Sequence, residues 1–324
     1  MSISRSLVER FLGRLLWTVF AVYIAATAVF GLVALSPDQE RIALRWAANV
    51  GGAEANLPEP PPLSEQYVDW LRSFVTLEWG TSAVGGRLVG AEGAVSNVTA
   101  VRKAVSVTLA YAVPATLVAF VLALLVGYHS ARRPTAASSR LFAGSFYLVF
   151  GLPNFFIAGV IFFTLEDAEP DWFPEAYETG AGFSPSNLLW LVLPAVVLST
   201  HLLAGYFRYT RSESRESLRE QFVTFVRAKG AGQKRVARHV VRSDALSLVT
   251  LFITELLGVL LVTIFVVEVV FEVPGIGLLA YEGILARELE LVMVLTMVFS
   301  IIAILASVAQ DIAATTLDAR IDSE

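Results

Sequence analysis

The 324-residue chain contains no cysteine and only three histidines. Without cysteine there is no disulfide framework, no thiolate metal site and no cysteine nucleophile. So few histidines leave no basis for a histidine-rich metal centre. Charge is also scarce: 16 % of residues are Asp, Glu, Lys or Arg, against 56 % apolar. Soluble globular proteins carry about 25 % charge, so a soluble enzyme is a poor fit and a disordered chain is excluded. The net charge of −5 argues against a nucleic-acid surface. Several catalytic signatures are missing too. No G-x-x-x-x-G-K-[ST] phosphate loop, H-E-x-x-H or G-x-S-x-G is present, so no catalytic residue is assigned.

What the chain has is long apolar runs. A bilayer core of about 30 Å needs ~20 apolar residues in a helix. Leu15–Leu35, Ala104–Tyr128, Leu141–Leu165, Asn187–Phe207 and Leu291–Gln310 are free of charge, and Ala245–Val267 holds one, Glu255. These runs predict an all-α membrane protein with six transmembrane helices. Arg5, Arg10 and Arg14 precede the first run. That run exceeds the ~7–15 residues of a signal-peptide core, so it is expected to remain as an anchor.

Lys and Arg set the expected orientation. With a cytoplasmic N-terminus, the inside segments hold 17 of them and the outside segments 7. Both termini are therefore expected in the cytoplasm of a multi-pass plasma-membrane protein. Residues 36–103 then form an extracytoplasmic loop and residues 208–244 a cytoplasmic one. The acids run the other way, with six in 166–186 and no base there. Such a stretch is a solvated acidic loop or a vestibule that attracts cations.

Within the outer loop, Pro58 to Pro62 favours polyproline II. Tyr67, Trp70, Leu71 and Phe74 fall at helical spacing over 63–77, predicting a short helix on the membrane's outer surface. Asn97-Val98-Thr99 is a glycosylation sequon. Pro114, Pro153 and Pro194 sit inside spans, where proline kinks a helix and frees a carbonyl. Asn154 puts an amide at mid-depth, either as a packing contact or on a translocation path. Glu255 is the second path candidate, because a charge inside a span must face a polar interior or be neutralised.

The cytoplasmic loop 208–244 holds ten bases, far more than an orientation signal requires. Phe222, Phe225, Val226 and Lys229 occupy i, i+3, i+4 and i+7, one face of a short helix. Gly230 and Gly232 suit its left-handed end. An apolar face in the cytosol fits either an interfacial helix on anionic lipid or a plug for a partner's groove.

Tyr209-Thr210-Arg211, the run Phe222 to Gly230 ending Arg227-Ala228-Lys229-Gly230, and Arg238-His239 resemble the coupling loop of binding-protein-dependent ABC importers. The resemblance is to the first permease of the dipeptide/oligopeptide/nickel group. That family's loop carries Glu-Ala-Ala, three residues and Gly. Here Gly230 matches, and Thr224-Phe225-Val226 stand where Glu-Ala-Ala would be. Val267 to Gly277, Ile284 to Arg287, and Leu317 to Ile321 resemble later parts of the same family, and Trp79 to Ser82 an earlier one.

The resemblance implies a type I ABC importer permease fold, one transmembrane domain over 1–324. It implies a second related permease, two ABC ATPase subunits and an extracytoplasmic solute-binding protein. It makes Phe222, Phe225, Val226, Arg227, Lys229 and Gly230 the coupling site. ATP and Mg²⁺ would sit on the ATPase, with no cofactor or metal on this chain, which is a transport subunit rather than an enzyme. Peptides, nickel or oligosaccharides are the implied substrates. The competing expectation is a self-contained secondary transporter that uses Glu255 for ion coupling.

Overall fold

The computed structural model describes residues 5–34 and 61–317, and the chain is predominantly helical. In order, the elements are α1 (Arg5–Ala34), α2 (Leu63–Thr76), β1 (Thr81–Ser82), α3 (Ala83–Leu88), β2 (Val95–Ser96), α4 (Asn97–Arg132), α5 (Ala137–Phe150) and α6 (Asn154–Ala168). They continue with α7 (Pro185–Trp190), α8 (Val192–Ser217), α9 (Gln221–Ala228), α10 (Gln233–Val270), α11 (Ile276–Leu285) and α12 (Leu289–Leu317).

The core is built on α4 against α8. Ala100, Ala104, Ala112, Ala115, Ala119 and Ala123 give α4 a buried small-residue stripe. Small side chains let helix backbones approach closely, which is how membrane helices gain packing contacts. At Gly127 the approach is close enough that an added Cβ would lie 2.7 Å from the Thr210 Cβ. Ser199 Oγ donates across this interface to the Ala115 carbonyl at 3.2 Å. The opposite side of α4 leaves Leu109, Val113, Leu117, Val121 and Leu125 exposed. A helix apolar on all sides belongs in a bilayer or an assembly.

Among the described residues, Asn97–Arg132, Pro185–Ser217 and Leu289–Val308 are long and apolar enough to cross a membrane. The expected third span is not one straight helix. Its two halves, α5 and α6, meet at a 95° bend. Proline at 153 has no N–H for a helical ladder and clashes with the carbonyl four residues back. The chain therefore turns at Gly151-Leu152-Pro153, and Asn154 becomes the first residue of a new helix. Leu16–Leu32 is a shorter apolar helix within α1. Most of the expected fifth span, including Glu255, lies outside the described side chains on α10.

Within the stretch 36–103, α4 already begins at Asn97. The helix predicted around Trp70 is present as α2. Its aromatic face docks on α1, with Phe30 ring centroids 5.1 Å from Tyr67 and 5.9 Å from Trp70. Ala26, Val29, Met293 and Met297 bury the contact of α1 with α12 beneath it. Asn97 of the sequon is fully buried, and its side-chain amide donates to the Trp79 carbonyl at 2.5 Å. In the folded chain that nitrogen is shielded from solvent.

Candidate functional site

The bundle has a basic end, carrying α9, and an acidic end, carrying α3, α11 and residues 169–184. At the basic end α9 runs Gln221–Ala228 and stops in a Schellman motif. The Ala231 N–H donates to the Val226 carbonyl at 3.2 Å, and the Gly230 N–H to the Arg227 carbonyl at 2.9 Å. Gly230 has φ +78° with nothing within 4 Å of a built Cβ. Glycine is needed there for its backbone conformation, with no steric demand added.

The six expected coupling residues do not share one exposed face. Val223, which the sequence pattern did not single out, is 1 % exposed and packs on Val236 and Val240 of α10. Phe222 and Val226 are half-buried against the same cluster. Phe225 is 58 % exposed, and Lys229 Nζ lies 4.1 Å from its ring centroid. Arg227 is exposed and lines a cavity of about 330 Å³ with Arg132, Tyr128 and Gln233. So α9 is glued to α10 by one side and offers Phe225, Lys229 and Arg227 on the others. The Val236/Val240 spacing on the next helix was the available signal for Val223.

Asn154 is tied down. Its Nδ2 donates to the buried Thr263 Oγ1 at 3.1 Å, fixing the start of α6 to α10. This contact ties one arm of the bend, α6, to α10.

At the acidic end lies Glu268, within the family-like segment Val267 to Gly277. It is completely buried at the end of α10. Its Oε1 accepts from Thr108 Oγ1 at 2.6 Å and from the Tyr111 hydroxyl at 2.9 Å. Its Oε2 accepts from the Gly277 N–H at 2.6 Å and the Leu278 N–H at 3.4 Å. Thr108 Oγ1 in turn accepts the Ile276 N–H at 3.0 Å. Every partner is a donor, the set an ionised carboxylate wants. The first-turn amides of α11 are thereby capped from a different helix. Gly275 makes room: a Cβ there would lie 2.1 Å from Glu268 Oε1. A carboxylate at the end of an apolar run, followed by Pro-Gly-x-Gly, was the legible signal.

A second carboxylate organises the same end. Glu288 Oε1 accepts the Ala83 and Val84 N–H groups at 3.1 Å each, and its Oε2 accepts the Ser82 hydroxyl. Arg87 pairs with Glu282 at 2.6 Å. The segment after α6 folds round a cavity of about 480 Å³ lined by Phe162, Phe173 and Trp190 with Glu166, Glu169 and Asp171. Nearby, burial pushes the Tyr177 phenol up, so it stays a neutral donor.

Residues 119–323 match the family described as binding-protein-dependent transport system inner membrane component. The chain is 28 % identical to the oligopeptide transport system permease protein AppB of Bacillus subtilis, covering 81 % of each chain. It is 28 % identical to the dipeptide transport system permease protein DppB of Lactococcus lactis, over 94 % of this chain and 92 % of that one. A putative peptide permease protein of Brucella ovis is 30 % identical over 85 % and 84 %. With α9 capped and presented at one end of an apolar bundle, and the match spanning α4 to α12, the chain belongs to the inner membrane component family of binding-protein-dependent ABC transporters, as a multi-pass permease subunit whose ATPase is a separate chain.

Proposed function

We propose that this permease imports peptides or a similar small solute by ATP-driven alternating access. Its partners are a second related permease, two ABC ATPase subunits and an extracytoplasmic solute-binding protein. The relatives' names, oligopeptide, dipeptide and peptide permeases, support the substrate class. In this reading residues 1–324 form one transmembrane domain of six spans, with both termini and α9 in the cytoplasm. The excess of Lys and Arg in the segments on α9's side supports that orientation. ATP and Mg²⁺ sit on the ATPase, and Asn154 and Glu255 are the residues proposed for the path.

The observation that carries the coupling role is the exposed Phe225 on a helix whose other side is fixed. Burying a Phe side chain is worth about 1.5–3 kcal/mol, so an ATPase groove that covers it gains affinity. Because Val223 ties α9 to α10, a push on Phe225 moves α10 rather than a loose loop. Lys229 adds a cation beside the ring and Arg227 one at the neighbouring cavity, with Phe222 and Val226 shaping the helix from within. The test is pull-down of the ATPase with parallel uptake of a labelled peptide mixture. Phe225→Asp is expected to leave the permease inserted and release the ATPase. Normal binding and uptake by that variant would make α9 a lipid-surface helix only.

A further inference from the structure

We infer that Glu268 is a positioning residue for transport: it pins the helix at the acidic end, α11, to the far end of the helix that starts beside α9.

Three observations converge on it. First, α10 is one continuous helix of 38 residues, about 57 Å long at ~1.5 Å per residue. Its first turns hold Val236 and Val240, the residues that bury Val223 of α9. Its last turn holds Glu268. One rod therefore joins the ATPase-facing contact to the acidic end. Second, the Glu268 carboxylate gathers donors from two other elements, Thr108 and Tyr111 of α4 and Gly277 and Leu278 of α11. Third, the approach is too close for ordinary side chains. A Cβ at Gly277 would lie 2.6 Å from the Phe265 Cα, and one at Gly275 would strike the carboxylate itself.

The consequence is mechanical. In a low-dielectric interior a carboxyl group that accepts four hydrogen bonds is held far more firmly than an apolar contact of the same size. An apolar contact would let α11 slide as α10 moves. The carboxylate makes α11 and the adjoining part of α4 follow α10. Gly275 and Gly277 are the cradle that lets α11 reach it, and Thr108 serves both Glu268 and the Ile276 amide. Glu268 would thus complete a path from the ATPase to the extracytoplasmic surface within this chain. This rests on the reading that α9 contacts the ATPase.

The absence of cysteine from this sequence lets maleimide labelling be read on the permease band alone. The assembled transporter in proteoliposomes receives a single cysteine, at Leu285→Cys on α11 or at Lys234→Cys beside α9. Labelling by a membrane-impermeant maleimide is timed with and without Mg·ATP and vanadate. In the parent, the nucleotide is expected to change both labelling rates by about fivefold or more, the lower end of ordinary allosteric coupling. With Glu268→Ala, the change at residue 285 is expected to fall below about twofold while that at residue 234 persists. Glu268→Gln still offers an oxygen to the two amides and a donor the hydroxyls can accept, and should recover most of the response. If Glu268→Ala does not assemble, Glu268→Met keeps the volume, removes both oxygens that accept the α11 amides and should give the same loss. An undiminished response at residue 285 in either variant overturns the pin. A parent that responds at 285 but not at 234 overturns the coupling reading instead, and leaves the effect of Glu268→Ala at 285 to decide the pin.

Discussion

Gly230 offers a clean separation of conformation from volume. Its φ is +78°, and a built Cβ meets nothing within 4 Å. The cost of a side chain there is therefore conformational alone. A left-handed backbone costs an ordinary L-residue roughly 1–2 kcal/mol, and Asn less because it tolerates this region. At 1.4 kcal/mol per factor of ten, Gly230→Ala should weaken ATPase affinity by roughly 5- to 30-fold if the Schellman turn must form for docking. Gly230→Val should lose more, because β-branching makes the left-handed region a true outlier. Gly230→Asn should stay within about threefold of the parent, the penalty of a few tenths of a kcal/mol. The assay is equilibrium binding of the purified ATPase to the permease in nanodiscs, with Phe225→Asp as the unbound reference. The informative result is the order of the three variants. If Asn and Val lose affinity equally, a side chain of any kind is rejected and the backbone argument is wrong. If all three bind like the parent, the left-handed turn is not part of the docked state.

Other expectations follow from the same geometry. Val223→Ala should destabilise the α9–α10 contact by roughly 1–3 kcal/mol, seen as faster proteolysis near Gly230 while the membrane helices stay intact; unchanged proteolysis would mean α9 is held elsewhere. Gly275→Ala should displace the Glu268 carboxylate, because the added carbon would sit 2.1 Å from its oxygen; the check is thermal stability in detergent, and a melting temperature equal to the parent's would show that the cradle relaxes freely. Cysteines at Asp171 and Lys234, both exposed, should label from opposite sides of intact cells and inverted vesicles; the reverse pattern would invert the topology. Asn97, fully buried, should gain no glycan mass when the chain is expressed in a glycosylating host, and a shift removed by glycosidase would mean that the start of α4 is open there.

Much of the architecture is local and so was readable in sequence. Charge-free runs near Ala104–Tyr128, Asn187–Phe207 and Leu291–Gln310 correspond to helices of spanning length, because a run of apolar residues can satisfy its backbone only internally in lipid. The end of α9 at Gly230 was also legible, since a left-handed cap depends on the residue that occupies it. Proline at 153 announced a disturbance in the third span, but not its size. A kink within a continuous helix and a 95° break both satisfy proline, and which one forms depends on the packing of the two arms, α5 on α8 and α6 on α10 and α8.

Tertiary structure decided the rest. Helical spacing placed Phe222, Phe225 and Val226 on one side of α9, yet it could not say which element would cover that side. The covering valines of α10 take Val223, half-bury Phe222 and Val226, and leave Phe225 out. Glu268 shows the same limit at greater range. Its hydroxyl donors lie 160 and 157 residues away in the chain, so no local pattern contains them. A lone acid after an apolar run reads as a charge at a membrane edge. Only the packing of α4 beside α10 and α11 supplies the donors that make a fully buried carboxylate stable there, because burial without them would cost more than the fold could offset.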